Sequence, residues 1–375
     1  MQANKRSSIA VALAFVTLSS ATAIVGCSAS MEGEEDTSSE EAVSGKPKLT
    51  LTDDQRRDMV SKKTTCPFVG TALAMKKLFV YGTLSDPFAV IAGGAGTPAV
   101  ANAKPGSAVA AGGAGDLAQG FRIVARGNHN KSPSGTQAPE GMFSLDFPNS
   151  VGAHAAHSFV LMGNPRVRDS GRLNEKNLAR LLDEKAKGGH AELVAGKLVV
   201  RRSELGQFVA RNVACDPNAV SISRTPFGFA SLLGGDIVEF TRSAASLTLT
   251  KLSGSASEGE KTQLLESMLK IAVRNNLVGS AGEFGLLMTA LEGSPNAVTL
   301  PSGEKALAAS DIEALYAGKK VDGKYDPLTR SLPSNWDSTP KNLTRFLVNT
   351  LEILKVAGIE NLADTYGTNG CANPN

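Results

Sequence analysis

The chain has little of several things. Aromatic residues make up 5% of it, with one tryptophan, and 375 residues contain four cysteines and four histidines. So few cysteines exclude a disulfide-dense scaffold, leaving a hydrophobic core to carry the fold. Charge of one sign is also lacking. Lys and Arg number 39 against 36 Asp and Glu, a net of +3, which gives no electrostatic reason to expect a nucleic-acid or polyanion partner. Beyond the N-terminal segment, no apolar run is long enough to span a bilayer. What is present is 42% apolar residues. In a chain of this length that suffices for one large domain or two small ones with a true core, and it excludes a disordered tail or a collagen.

The N-terminus reads as an address. Lys5 and Arg6 precede an apolar run from Ile9 to about Leu18, followed by Ile24-Val25-Gly26-Cys27. A basic start, a short apolar stretch and small residues before a cut describe a secretory signal. The tetrapeptide looks like a bacterial lipobox, making residues 1–26 the signal and Cys27 an acylated N-terminus. An ordinary signal with Cys27 merely near the cut is the alternative. Ser28 after the cysteine resembles lipoproteins sorted to an outer membrane. The expected location is therefore the bacterial cell envelope, through a lipid anchor. Glu32, Glu34, Glu35, Asp36, Glu40 and Glu41 crowd a short Ser/Gly-containing run. Their mutual repulsion makes residues 27–48 an expected flexible tether.

In the body, residues 49–360, helical periodicity dominates and the expected fold class is mostly α, a single helical domain followed by a tail over 361–375. The spacing predicts a helix from Asn174 to Lys187, capped by Asn174, with Leu178, Leu181 and Leu182 on one face. A second runs from Ser203 to Ala214 with Ser203 as cap and Leu205, Phe208, Val209 and Val213 as a stripe. Others are expected over Glu260–Asn276, Phe284–Leu291, Ser310–Ala317 and Pro340–Ala357. Lys197 to Arg201 is the best strand. Residues 92–120 are almost wholly Ala, Gly, Val and Pro. The run Phe88–Ala92 before Gly94-Ala95-Gly96-Thr97-Pro98-Ala99 matches a dinucleotide fingerprint in form, but no helix signal follows to meet a pyrophosphate.

Three groups carry candidate chemistry. Cys66-Pro67 follows the basic lead-in Lys62-Lys63-Thr64-Thr65, and a thiolate needs positive charge or amide donors nearby. If Cys215 and Cys371 pair, Cys66 is the free thiol. His154 and His157 stand one turn apart if their segment is helical and could share a metal, although the intervening glutamate of a zinc protease is missing. Glu283 is expected at the head of an apolar helix. There the dipole favours the anion, while the apolar wall opposes it, as suits a general acid–base.

Taken in order, Cys66-Pro67, His157-Ser158-Phe159, Glu283-Phe284-Gly285 and Leu332-Pro333-Ser334-Asn335-Trp336 resemble the heme-thiolate peroxidases, the family of chloroperoxidase and the unspecific peroxygenases. Leu73-Ala74 and the stretch Ser170-Gly171-Arg172-Leu173-Asn174-Glu175 add to the likeness. It implies a chloroperoxidase-like domain with heme b held by the Cys66 thiolate and Glu283 as the distal acid. Hydrogen peroxide would be the oxidant, and a halide or small organic molecule the substrate. The family's Glu-His-Asp triplet is absent. It supplies the carboxylate ligand of Mn²⁺ or Mg²⁺ near a heme propionate and a histidine that orients the acid. Ser158 matches the remaining side-chain metal ligand, and His154 or His157 would have to replace the histidine. Two other readings follow from the same residues. One is an envelope lipoprotein that keeps the fold without heme. The other is a metal-dependent hydrolase built on His154 and His157.

Overall fold

A computed structural model describes residues 47–64, 66–91, 136, 143–145, 161, 173–215, 276–335 and 343–362. The signal and lipobox with Cys27, most of the tether and the Ala/Gly-rich stretch lie outside them. So do His154, His157, Ser158, Trp336, Cys371 and all but the last residue of the helix expected over Glu260–Asn276.

Helix α1, Asp53–Asp58, opens with a capping box in which Thr52 and Gln55 satisfy each other's amides, and it runs on as a π-turn over Met59–Lys63. Helix α2, Pro67–Ala74, ends in a reversal where Lys76 adopts φ 59°. The amides of Lys76 and Lys77 bond back to Leu73 O and Ala72 O, a Schellman closure. It turns the chain into the hairpin β1, Leu78–Gly82, and β2, Pro87–Ile91. β3, Phe143–Ser144, extends this antiparallel sheet, and Leu49 N bonds Val80 O on β1. The antiparallel pairing of β2 places Phe88–Ile91 in a hairpin and not in a dinucleotide-binding βαβ unit.

Helix α3, Glu175–Leu182, starts as expected: Asn174 Oδ1 accepts from Asn177 N at 3.1 Å. It stops at Leu182, short of Lys187, and a 3₁₀ turn over Lys185–Lys187 follows. Then come β4, Ala191–Val194, and β5, Lys197–Val200, joined by Ala195 and Gly196, both at positive φ. Helix α4, Arg202–Cys215, buries Leu205, Phe208, Val209 and Val213. Ser203 lies inside the helix, so it is not the cap.

Helix α5, Asn276–Leu291, leads to β6, Val298–Thr299, and β7, Lys305–Ala308. These complete a second sheet of order β4-β5-β7-β6. Helix α6 is Ala309–Tyr316, and no side chain caps its start. A third, two-stranded sheet of β8, Lys319–Val321, and β9, Lys324–Asp326, turns at Asp322-Gly323. Helix α7, Leu343–Leu362, closes the described chain.

The expectation of a mostly α, single helical domain is therefore wrong: among the described residues helices share the structure with three antiparallel sheets. The strands are short and several are apolar on both faces. They lack the alternation that separates a strand from a helix segment in sequence.

Helices α4, α5 and α7 pack together, and glycines set how closely. A Cβ on Gly285 of α5 would stand 2.7 Å from Thr350 Cα on α7, and one on Gly206 of α4 2.6 Å from Val356 Cβ. Gly285→Ala is expected to force α5 and α7 apart at about 1–3 kcal/mol, seen as a drop of several degrees in melting temperature. Unchanged melting would mean that the crossing has slack. Among the described residues, no helix is long and apolar enough to cross a membrane.

Candidate functional site

Cys66 owes its position to the residue after it. Proline bars its predecessor from helical backbone and itself suits the first turn. Cys66 (φ −79°, ψ 119°) therefore stands extended as N-cap, with Pro67 opening α2. Its sulfur makes no formal capping hydrogen bond, but the Val69 and Phe68 amides lie close enough to favour a thiolate. They are outweighed. Cys66 is 4% exposed in the apolar core. Burial pushes the thiol up from 9.0 to about 12, and the Glu283 charge pushes the same way. The expected help from the basic lead-in is missing. Lys62 pairs with Asp58 at 2.5 Å, and Lys63 Nζ donates to Leu84 O at 2.9 Å. Cys66 is a free thiol.

The raised pKa has a consequence for stability. Between pH 9 and about 12 the folded protein keeps a proton that the unfolded chain releases. The contribution present below pH 9 is thus lost as pH rises, at about 1.4 kcal/mol per unit. Under reducing conditions, Cys66→Ser should lose stability less steeply than wild type from pH 9 to 11 in denaturant melts. Parallel curves would contradict the buried neutral thiol.

Glu283 sits mid-helix in α5 and not at a helix head. The helix begins at Asn276, so the dipole expected to favour its anion is not there. Its carboxylate is buried and Oε1 accepts from Tyr316 Oη at 2.7 Å. Tyr316, at the end of α6, is fully buried. Burial, then the Glu283 charge and this hydrogen bond, then Cys66, hold its hydroxyl well above the usual range. It is a neutral donor at any ordinary pH. Thr71 Oγ1 of α2 donates to Leu315 O of α6 at 2.6 Å, fixing the helix that carries Cys66 to the helix that carries Tyr316. Cys66 and Glu283, far apart in sequence, thus converge with Tyr316 in one buried group.

Beside it lies an ionic cluster. Glu204 on α4 accepts from Lys185 Nζ at 2.5 Å and faces His190 Nδ1 at 3.2 Å. Burial alone would raise its pKa, but the bonds to His190 and Lys185 more than offset that and leave it below the usual carboxylate range. The His190 ring packs edge-on against Phe208, and Phe208 against Phe284 next to Glu283. Among the described residues no three His, Cys, Asp or Glu side chains converge as a metal site. The Cys66 sulfur is the candidate cofactor donor that the core offers.

Tyr316 was not among the expected site residues. Its spacing after Ile312 marks it as core, and only the tertiary fold reveals that its hydroxyl meets a carboxylate. Buried Arg330 carries no sequence signal at all. No protein-family model, no curated protein and no solved structure matches this chain.

Proposed function

We propose that this chain is a heme-thiolate peroxidase or peroxygenase, with Cys66 as the iron ligand and Glu283 as the acid–base for peroxide. The observation that carries the reading is the convergence of these two residues. The family resemblance named them separately, and they meet in one desolvated cluster. The residues fit the group. A single free sulfur stands at a helix N-terminus with amides turned toward it, as an anionic ligand requires. Among the described residues no cation stabilises a thiolate here, so the sulfur stays a neutral thiol; a bound iron would supply the positive charge that its thiolate needs.

Held by Cys66, heme would supply the redox-active iron for the chemistry, and a thiolate ligand favours O–O cleavage. The protein does the rest. Cys66 gives up its proton to ligate. The Glu283 carboxylate takes a proton from one peroxide oxygen and returns it to the other, which leaves as water. Tyr316 holds the carboxylate through Oε1 and fixes its direction. Cys66, Phe68, Phe284 and Leu287 belong to one buried apolar cluster, surroundings that keep water from the transfer. A halide or a small organic molecule is the electron donor, and acylated Cys27 holds the enzyme at the outer membrane of a bacterial envelope.

The test is the absorption spectrum of the chain purified with heme supplied, recorded reduced under carbon monoxide. The red-shifted Soret band of thiolate ligation supports the reading. Its absence from a protein that stays colourless would sink it.

A further inference from the structure

Arg330 is 3% exposed. Its backbone is held between elements: the 3₁₀ turn Pro327–Thr329 precedes it, and Ser331 N bonds Ala314 O on α6. The guanidinium reaches the first turns of α2. A Cβ on Gly70 would stand 2.9 Å from its Nη1 and 2.8 Å from Thr64 Oγ1. Gly70 thus lacks a side chain where the cation packs. Gly70 N bonds Cys66 O at 2.9 Å, so Arg330 lies one turn along from the sulfur's helix cap. Thr64 Oγ1 already donates to Val60 O at 3.0 Å and its own amide to Met59 O.

Neither Nε nor Nη1 of Arg330 has a hydrogen-bond acceptor among the described residues, and no carboxylate pairs with it there. Half-buried Arg202, by contrast, is paired with Glu352. A guanidinium taken out of water with no counter-charge is among the costliest arrangements a core can hold. Burial alone lowers its pKa from 12.5 to about 10, which still leaves it charged at neutral pH. The charge has been desolvated, and no described residue supplies its counter-charge.

We propose that Arg330 is the seat of a carboxylate carried by the ligand that Cys66 holds; for heme, this is one of its propionates. The inference rests on the peroxidase reading for the identity of that ligand. Planar guanidinium donors match a carboxylate, and a buried charge-assisted pair is stronger than a neutral one.

The test compares binding of iron protoporphyrin IX with that of its dimethyl ester, which has no free carboxylate, to the full chain and to Arg330→Met, by absorbance titration. Wild type should prefer the acid by about tenfold to a hundredfold, and Arg330→Met should lose most of that preference. The ligand-free Arg330→Met protein should melt at the same temperature as wild type or a few degrees higher, because an unpaired buried charge has been removed. Equal acid-to-ester ratios in the two proteins would overturn the proposal. So would a variant that melts lower or fails to fold, since the guanidinium would then have a partner in the protein itself. If wild type binds neither porphyrin, the peroxidase reading fails and sodium acetate decides the seat. Acetate that raises the melting temperature of wild type but not of the variant keeps a carboxylate seat for another ligand. Acetate without that difference ends it.

Discussion

Cys66→Ala, supplied with heme, is expected to lose the thiolate-type carbon monoxide spectrum completely, while Cys215→Ala keeps it. No other group described in the core can take over. The nearby His190 is engaged with Glu204, and an alanine at position 66 leaves only the helix amides, which cannot ligate iron. The fold should survive, since alanine removes one buried sulfur from a site with many apolar neighbours. The pH dependence adds a sharper reading. With the thiol held up near pH 12, ligation at neutral pH must displace one proton. Wild-type affinity for heme should therefore rise about tenfold per pH unit between pH 6 and 8. Any residual binding by Cys66→Ala should be flat across the same range. A thiolate spectrum that persists in this variant would remove Cys66 from the site.

Parts of this were legible in the sequence, and the reasons differ residue by residue. The Asn174 cap, the β5 strand and the Leu205–Phe208–Val209–Val213 stripe follow from local rules and stand in the structure. Cys66 as N-cap is equally local, dictated by the proline after it. Helix α5 is the opposite case. Gly279, Gly282 and Gly285 each cost a helix roughly 1 kcal/mol relative to alanine, so the run before Phe284 reads as a loop. The helix begins at Asn276 because burial against α4 and α7 outweighs propensity, and Gly285 is there for closeness to Thr350. That error carried the misplaced dipole argument for Glu283. The Asp322-Gly323 turn was readable, since this dipeptide is a strong hairpin signal. The Ala195-Gly196 turn was not, because alanine rarely accepts positive φ. Tyr316 and Arg330 belong to a third kind. Their chemistry comes from partners, present or missing, that long-range packing decides.

Glu283→Gln should retain heme and its spectrum but lower peroxide turnover by about 10²–10⁴-fold, the range for removing a positioned acid–base. Glutamine keeps the side chain's shape, and its carbonyl can still accept from Tyr316 Oη, so packing and binding change little; what it loses is the capacity to take up a proton and return it. Tyr316→Phe separates positioning from chemistry. The ring stays and fills the same volume, while Oε1 of Glu283 loses its 2.7 Å donor. A buried carboxylate stripped of that bond costs about 1–3 kcal/mol of stability. It also swings out of line, so kcat should fall about tenfold, with the apparent KM for peroxide and the heme content unchanged. A merely structural role for Tyr316 would instead lower heme content and leave kcat per bound heme intact. If turnover per heme is the same in Glu283→Gln as in wild type, the proton passes through another group and Glu283 is only a buried partner of Tyr316.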